Sequence, residues 1–167
     1  PRRGYAPTSG QGKIRAMLNW TCKNHADLTV AELYALLQLR SAVFVVEQNC
    51  VFPDIDDQDL RGETAHLMAW EDGKLAAYCR LLDPAYDASG EAVIGRVIVA
   101  PPWRGTGLGN DLMSRALAEV RARWPRANVY LGAQAHLRGF YGAHGFVVAT
   151  EEYVEDGIPH VGMRLAG

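Results

Sequence analysis

The sequence predicts a single α/β domain built on a mixed sheet of about six to seven strands, with helices on both faces. Three observations carry this expectation. Strand-like and helix-like segments follow one another in the order β–α–β–β–β–α–β–α–β–β, the pattern of a sheet wrapped by helices. Asp72-Gly73 sits between two apolar runs, the residue pair that a tight two-residue hairpin demands. The β-branched run Val97-Ile98-Val99 stops at Pro101-Pro102-Trp103 and turns through Arg104-Gly105-Thr106-Gly107-Leu108-Gly109 into a helical period. A chain of 167 residues suits one domain, burying roughly 70% of its unfolded surface. Neither an internal repeat nor an interdomain linker interrupts it.

Residues 1 to 12 bear Gly, Pro and Ser without periodicity and read as a flexible N-terminal tail, leaving 13–167 as the folded domain. Ile14 to about Trp20 is expected as the first strand. Thr29 and Glu32 form a capping box that opens a helix from about Val30 to Val46. Its core face carries Val30, Leu33, Leu36, Leu37, Val43 and Phe44, and Arg40 projects from the middle of that face. Such an arginine either snorkels to solvent or, if buried, requires a carboxylate partner. Gln48 to Glu63 is a polar loop holding Asp54, Asp56, Asp57 and Asp59. An EF-hand is excluded, because its sixth position is Asp59 and its twelfth Ala65. These acids are either a solvated run or a lure for a cationic substrate.

Thr64 to Glu71 and Lys74 to Leu82 make the hairpin, Asp83 to Gly90 a loop, and Ala92 to Ala100 the next strand. From Leu108 to Trp124 the apolar residues Leu108, Leu112, Met113, Ala116, Leu117, Val120 and Trp124 share half of a helical wheel. Pro125 to Ala127 breaks the chain before a short strand, Asn128 to Gly132. Gln134 to His144 is expected as a helix stopped by Gly145 at its C-terminal cap. Phe146 to Val154 and His160 to Leu165 close the chain as a hairpin around Glu155-Asp156-Gly157.

The glycine turn carries the chemistry. Three alternating glycines clear side chains from the mouth of a helix, so backbone amides can converge on one ligand atom. The helix adds about half a positive charge there, and Arg104 adds a permanent cation. The turn is therefore an anion cradle suited to a pyrophosphate. A P-loop is excluded because Asn110-Asp111 follows where Lys-Ser or Lys-Thr is required. A dinucleotide fingerprint is excluded too: its third glycine belongs at position 110, which is Asn.

Composition narrows the classes further. Net charge is −2, so nothing in the balance implies a nucleic acid. No apolar run reaches membrane-spanning length and the start lacks a signal-peptide core, which together with three scattered cysteines points to a cytoplasmic protein with reduced thiols. With no closely spaced cysteine pair, no metal site is expected.

The Arg104–Gly109 loop after a strand, followed by Phe140-Tyr141-Gly142-Ala143-His144-Gly145-Phe146, resembles the GNAT superfamily of N-acetyltransferases over nearly the whole chain. The run from Leu39 to Gln48, with Pro53-Asp54 and Asp56 after it, is similar to the ElaA-like subgroup. That subgroup is in places similar to acyl-homoserine-lactone synthases. The resemblance implies acetyl-CoA as acetyl donor. It places Val97, Ile98 and Val99 along the pantetheine arm, and Arg104, Gly105, Gly107, Leu108 and Gly109 around the pyrophosphate. Gln134 stands where many relatives carry a CoA-contacting Asn, and Tyr141 stands where they carry the acid that protonates the departing thiolate. It also implies a homodimer as one arrangement, since relatives often pair through their C-terminal strands.

Transfer to an amine needs the neutral form of that amine. For a lysine-like acceptor of pKa about 10.4, only about one molecule in 10³ is neutral at pH 7, a deficit of roughly 4–5 kcal/mol. A general base is therefore expected. Many relatives place a Glu on the strand that holds Val97, but here Arg96 occupies that neighbourhood and no carboxylate lies from Ala92 to Ala100. Glu47 is the leading candidate and His66 the second; structural roles are the alternative for both. The expected function is direct acetyl transfer to a small-molecule or peptidic primary amine. A non-catalytic acyl-CoA sensor and an acyl-homoserine-lactone-type synthase are the alternatives.

Overall fold

The computed structural model describes residues 17–167; the expected tail and the start of the expected first strand at Ile14 lie outside the described residues. Among the described residues seven strands form one sheet: β1 Asn19–Asn24, β2 Ala65–Glu71, β3 Lys74–Leu82, β4 Ala92–Val99, β5 Val129–Gln134, β6 Val147–Glu155 and β7 Ile158–Leu165. Three helices accompany it: α1 Val30–Arg40, α2 Leu108–Arg123 and α3 Arg138–Ala143. The spatial order is β1-β2-β3-β4-β5-β7-β6. Every neighbouring pair is antiparallel except β4 and β5, which run parallel.

Helices cover both faces, and the alternation along each strand assigns them. Leu67, Ala69, Ala77 and Cys79 point to the face on which α2 lays Leu108, Leu112, Met113, Ala116 and Val120. Met68, Tyr78 and Ile98 point the other way, against Leu36 and Val43. The β2–β3 hairpin, the α2 stripe and the Thr29–Glu32 capping box form as the sequence leads one to expect.

Three boundaries differ, each for a physical reason. The first strand lies later than expected, at Asn19–Asn24. Thr21 and Lys23 face the α1 side, where Lys23 binds Glu32 at 2.7 Å, and this disguises a strand whose Trp20 and Cys22 pack on the core. The first helix ends at Arg40 and continues as a wider π-helical turn from Ser41 to Glu47, in which the Gln48 amide reaches back to the Val43 carbonyl. Val30 is not part of the core face, being 85% exposed at the first helical position, while Leu33 is half-buried and Leu36 is the first buried residue. The expected helix from Gln134 starts only at Arg138. Gln134 stays in the sheet opposite His160, and a single 3₁₀ turn, Ala135–Leu137, intervenes.

Three of the acidic loop's four aspartates, Asp54, Asp56 and Asp59, are neither solvated nor a free lure, because arginines consume them, while Asp57 is exposed. Arg40 is fully buried and bonds Asp54 at 2.8 Å and Asp59 at 2.5 Å. Arg80 bonds Asp59 at 2.9 Å and Asp56 at 2.7 Å. Arg96 bonds Asp54 at 2.7 Å and Asp56 at 3.3 Å, which closes a ring of three cations and three anions. Partial burial works to raise the Asp56 carboxyl, but Arg80 and Arg96 overcome it and hold it at about 2. Asp59 is likewise lowered by Arg40 and Arg80 against its burial.

Removing one member of a buried charge set leaves its partners uncompensated. Arg40→Met is therefore expected to cost about 3–5 kcal/mol in urea unfolding; a cost below 1 kcal/mol would show that the ring is not structural. The ring also sets an acid limb. Asp56 titrates at about 2 when folded and near 3.9 unfolded, so its contribution is complete above about pH 4 and lost as pH falls towards 2. The urea midpoint of the wild type should fall more steeply across that window than that of Asp56→Asn; parallel curves would contradict the assignment.

Candidate active site

The two parallel strands open the site. β4 and β5 are paired only at Ala92 with Val129 and Val93 with Tyr130, and beyond those residues they part. A cleft of about 660 Å³ lies there, reaching Val97 on one strand and Gly132 and Gln134 on the other. The cause is a bulge in β4. Tyr78 opposes Ile98 and Arg80 opposes Gly95, so Arg96 and Val97 together face Cys79. Arg96 takes a left-handed φ of +53°, a conformation that costs a non-glycine residue about 1–3 kcal/mol. Its guanidinium is fixed by the charge ring and lies 5.9 Å from the Phe44 ring and 5.5 Å from the Phe52 ring. Arg96 is thus the pin of the bulge, which turns the backbone at Val97 out of the regular ladder.

At the end of β4 the glycine turn forms as the sequence implies. Gly105 and Gly107 have φ of +72° and +86°, and Gly107 caps α2 with no side chain. The Gly107 carbonyl takes the amides of Asn110 and Asp111. The amides of Leu108 and Gly109, in the first turn, have no acceptor among the described residues. A Cβ on Gly109 would stand 3.6 Å from the Phe140 ring and 3.8 Å from Val99, so the turn lies against α3 and β4. Arg104 donates Nε–H to the Val99 carbonyl at 3.0 Å and grips both oxygens of Glu47, at 2.7 and 3.0 Å. That pair is half exposed and ties the π-helical turn to the glycine loop. Arg104 also holds the Glu47 carboxyl below its usual range, chiefly through the hydrogen bond.

The remaining candidates separate into two groups. Tyr141 lies at the cleft, 6% exposed, and burial pushes its phenol up to about 12. Gln134 reaches across the cleft mouth, its Nε2 donating to Gln48 Oε1 at 3.2 Å. His66 is removed from the acid–base candidates: it is fully buried, its Nε2–H donates to the Asp59 carbonyl at 3.0 Å, and its Nδ1 accepts from the Tyr78 hydroxyl at 2.8 Å. Burial lowers its pKa, so it is a neutral prop beneath the charge ring. No group of metal-ligating side chains gathers among the described residues.

Sequence reasoning passed over one wall of the cleft. Tyr130, Tyr153 and His160 share the sheet face of Gln134, and Tyr153 and His160 stack with centroids 6.0 Å apart. The signal was present as two strand glycines paired in register, Gly132 and Gly162. A Cβ on Gly132 would stand 3.1 Å from the Tyr153 hydroxyl, and one on Gly162 only 2.5 Å from that of Tyr130. The glycines are the space in which these phenols lie.

The comparisons with known proteins agree with this geometry. The sequence profile of the Acetyltransferase (GNAT) domain matches residues 42–166. Protein ElaA of Escherichia coli K12 is 52% identical over 147 residues, 88% of this chain and 95% of ElaA. The crystal structure of E. coli ElaA superposes with a TM-score of 0.83 at 49% identity, over 89% of this chain and 99% of that one. An acyl-CoA N-acyltransferase from Pseudomonas aeruginosa superposes with a TM-score of 0.87 at 59% identity, over 90% of this chain and all of that one. With its bulged fourth strand, its parted β4 and β5 and its glycine turn at the head of α2, the chain belongs to the GNAT acetyltransferase family and is similar to ElaA.

Proposed function

We propose that the protein transfers an acetyl group from acetyl-CoA directly to a primary amine held in the cleft between β4 and β5. The observation that carries this reading is that one strand joins the two halves: β4 ends in the turn where the amides of Leu108 and Gly109 lie open, and along its length it borders the cleft that Tyr141 also lines. A diphosphate at the turn would be met by those amides, by the helix dipole and by Arg104. The pantetheine arm would then run along Val97, Ile98 and Val99. The bulged backbone near Val97 supplies a donor for the oxyanion that forms when the amine attacks.

Each remaining side chain has a task in this reading. Tyr141, with its proton held tightly by burial, is still protonated at neutral pH when the thiolate leaves. Gln134 and Gln48 bridge the cleft mouth and border the donor's path. Glu47 is the sequence-based candidate for the base, yet its bidentate bond to Arg104 and its lowered proton affinity favour another task, orienting Arg104 at the pyrophosphate. The intact glycine turn favours CoA over an acyl carrier protein, and the placement of Tyr141 favours catalysis over mere sensing.

The experiment is release of free CoA from acetyl-CoA when a panel of primary amines is offered. The wild type should turn over, and Tyr141→Phe should lose about 10²-fold in kcat with KM for acetyl-CoA little changed. Equal turnover by the variant would remove Tyr141 from the mechanism.

A further inference from the structure

We infer that His160 is the general base that removes the proton from the acceptor amine. This inference rests on the acetyl-transfer reading above and adds the group that reading leaves unassigned. Two observations support it, the tautomer of His160 and its place in the cleft.

His160 Nδ1 lies 2.8 Å from the Ile158 carbonyl oxygen. A carbonyl oxygen can only accept, so Nδ1 carries the hydrogen and the lone pair of the neutral ring sits on Nε2. No hydrogen bond to that nitrogen occurs among the described residues, and it is not one of the buried atoms left without a partner, so it is accessible to a ligand or solvent. The ring is also fixed in orientation. It stacks on Tyr153 at an interplanar angle of 25°, and its backbone is paired with Gln134 on one side and Tyr153 on the other. A base held in one orientation by a carbonyl on its far nitrogen is the arrangement that acid–base catalysis requires.

The position is equally specific. His160 lines the same cleft as Tyr141 and Val97, and its register partner Gln134 ends the strand that diverges from β4. Of the cleft's other carboxylates, Glu155 and Asp156 are exposed at the β6–β7 turn, and the remaining three are committed. Asp56 belongs to the charge ring, Asp83 accepts from the amides of Glu63 and Ala85, and Asp87 accepts from Ser89. Glu47 is held by Arg104.

The proton balance closes. The ammonium gives one proton to His160 Nε2, from which it passes to solvent. The neutral nitrogen then attacks the thioester carbonyl carbon, forming the C–N bond and opening the carbonyl to an oxyanion. Collapse breaks the C–S bond, and the thiolate sulfur takes the Tyr141 phenolic proton. The surplus proton on the new amide nitrogen restores that phenol. The products are the N-acetylated amine, CoA thiol and one released proton.

The test compares wild type, His160→Asn, His160→Ala and Glu47→Gln, with acetyl-CoA as donor and either the amine panel or water alone as acceptor. Asn retains a donor for the Ile158 carbonyl but lacks the Nε2 lone pair. We expect His160→Asn to bind CoA in calorimetry as the wild type does, to melt at the same temperature, and to lose about 10²-fold in kcat. Imidazole added to His160→Ala should restore part of the rate, which a purely structural role would not allow. Full activity in His160→Asn, or a loss confined to Glu47→Gln, would overturn the assignment while leaving acetyl transfer intact. A wild type that binds CoA yet releases none from acetyl-CoA, with amine or with water, would overturn both.

Discussion

The structure depends on a closed ring of six charges in which Arg40, Arg80 and Arg96 alternate with Asp54, Asp56 and Asp59. A buried arginine alone would be prohibitive, and a buried ion pair is close to neutral at best. A ring in which every cation meets two carboxylates satisfies most of the donors and acceptors that burial strips of water. Its consequence is positional. Arg40 comes from α1, Arg80 from β3, Arg96 from β4, and all three aspartates from the segment between residues 48 and 63. A long irregular loop is thereby bound to the sheet at the place where the sheet must open.

Opening the sheet is what produces a site. Arg96 is held in a left-handed conformation that its side chain alone would not choose, and the price of that strain is met by two aspartates and two aromatic rings. The bulge separates β4 from β5 after two paired residues, leaving a slot lined by Val97, Tyr141 and the His160 wall. The Glu47–Arg104 pair ties the far end of the π-helical turn to the same turn of glycines. Fold and chemistry are linked through electrostatics placed at the edges of the slot, and through the amides left open at the head of α2.

Much of this was legible in the sequence, and the reasons are local. The α2 stripe, the Asp72-Gly73 hairpin, the Thr29–Glu32 box and the glycine turn each depend on residues within a few positions of one another, and each formed where expected. The first strand was displaced because Lys23 serves a polar partner on α1, Glu32, a fact no alternation pattern contains. Arg40 could be read as buried or snorkelling, since its partners lie 14 and 19 residues away. The aspartates pointed towards solvent or substrate for the same reason: the arginines that claim them come from three different elements. His66 looked titratable as a residue type, and only its burial between Tyr78 and the Asp59 carbonyl shows it to be a prop. His160 was invisible because its meaning lies in a carbonyl two residues away and in glycines on a neighbouring strand.

The claim on which the functional account stands is that the amides at the head of α2, with Arg104 beside them, hold a diphosphate. Calorimetry that titrates CoA and, separately, pantetheine into the protein at neutral pH and modest salt tests it most directly, because the two ligands share the arm and the thiol but only CoA carries the diphosphate. The account predicts clear heat and saturable binding for CoA and at least a 100-fold weaker response for pantetheine, the difference lying in charge-assisted hydrogen bonds of the kind found at helix N-termini. Equal affinity for the two ligands, or no binding of CoA at all, would contradict it.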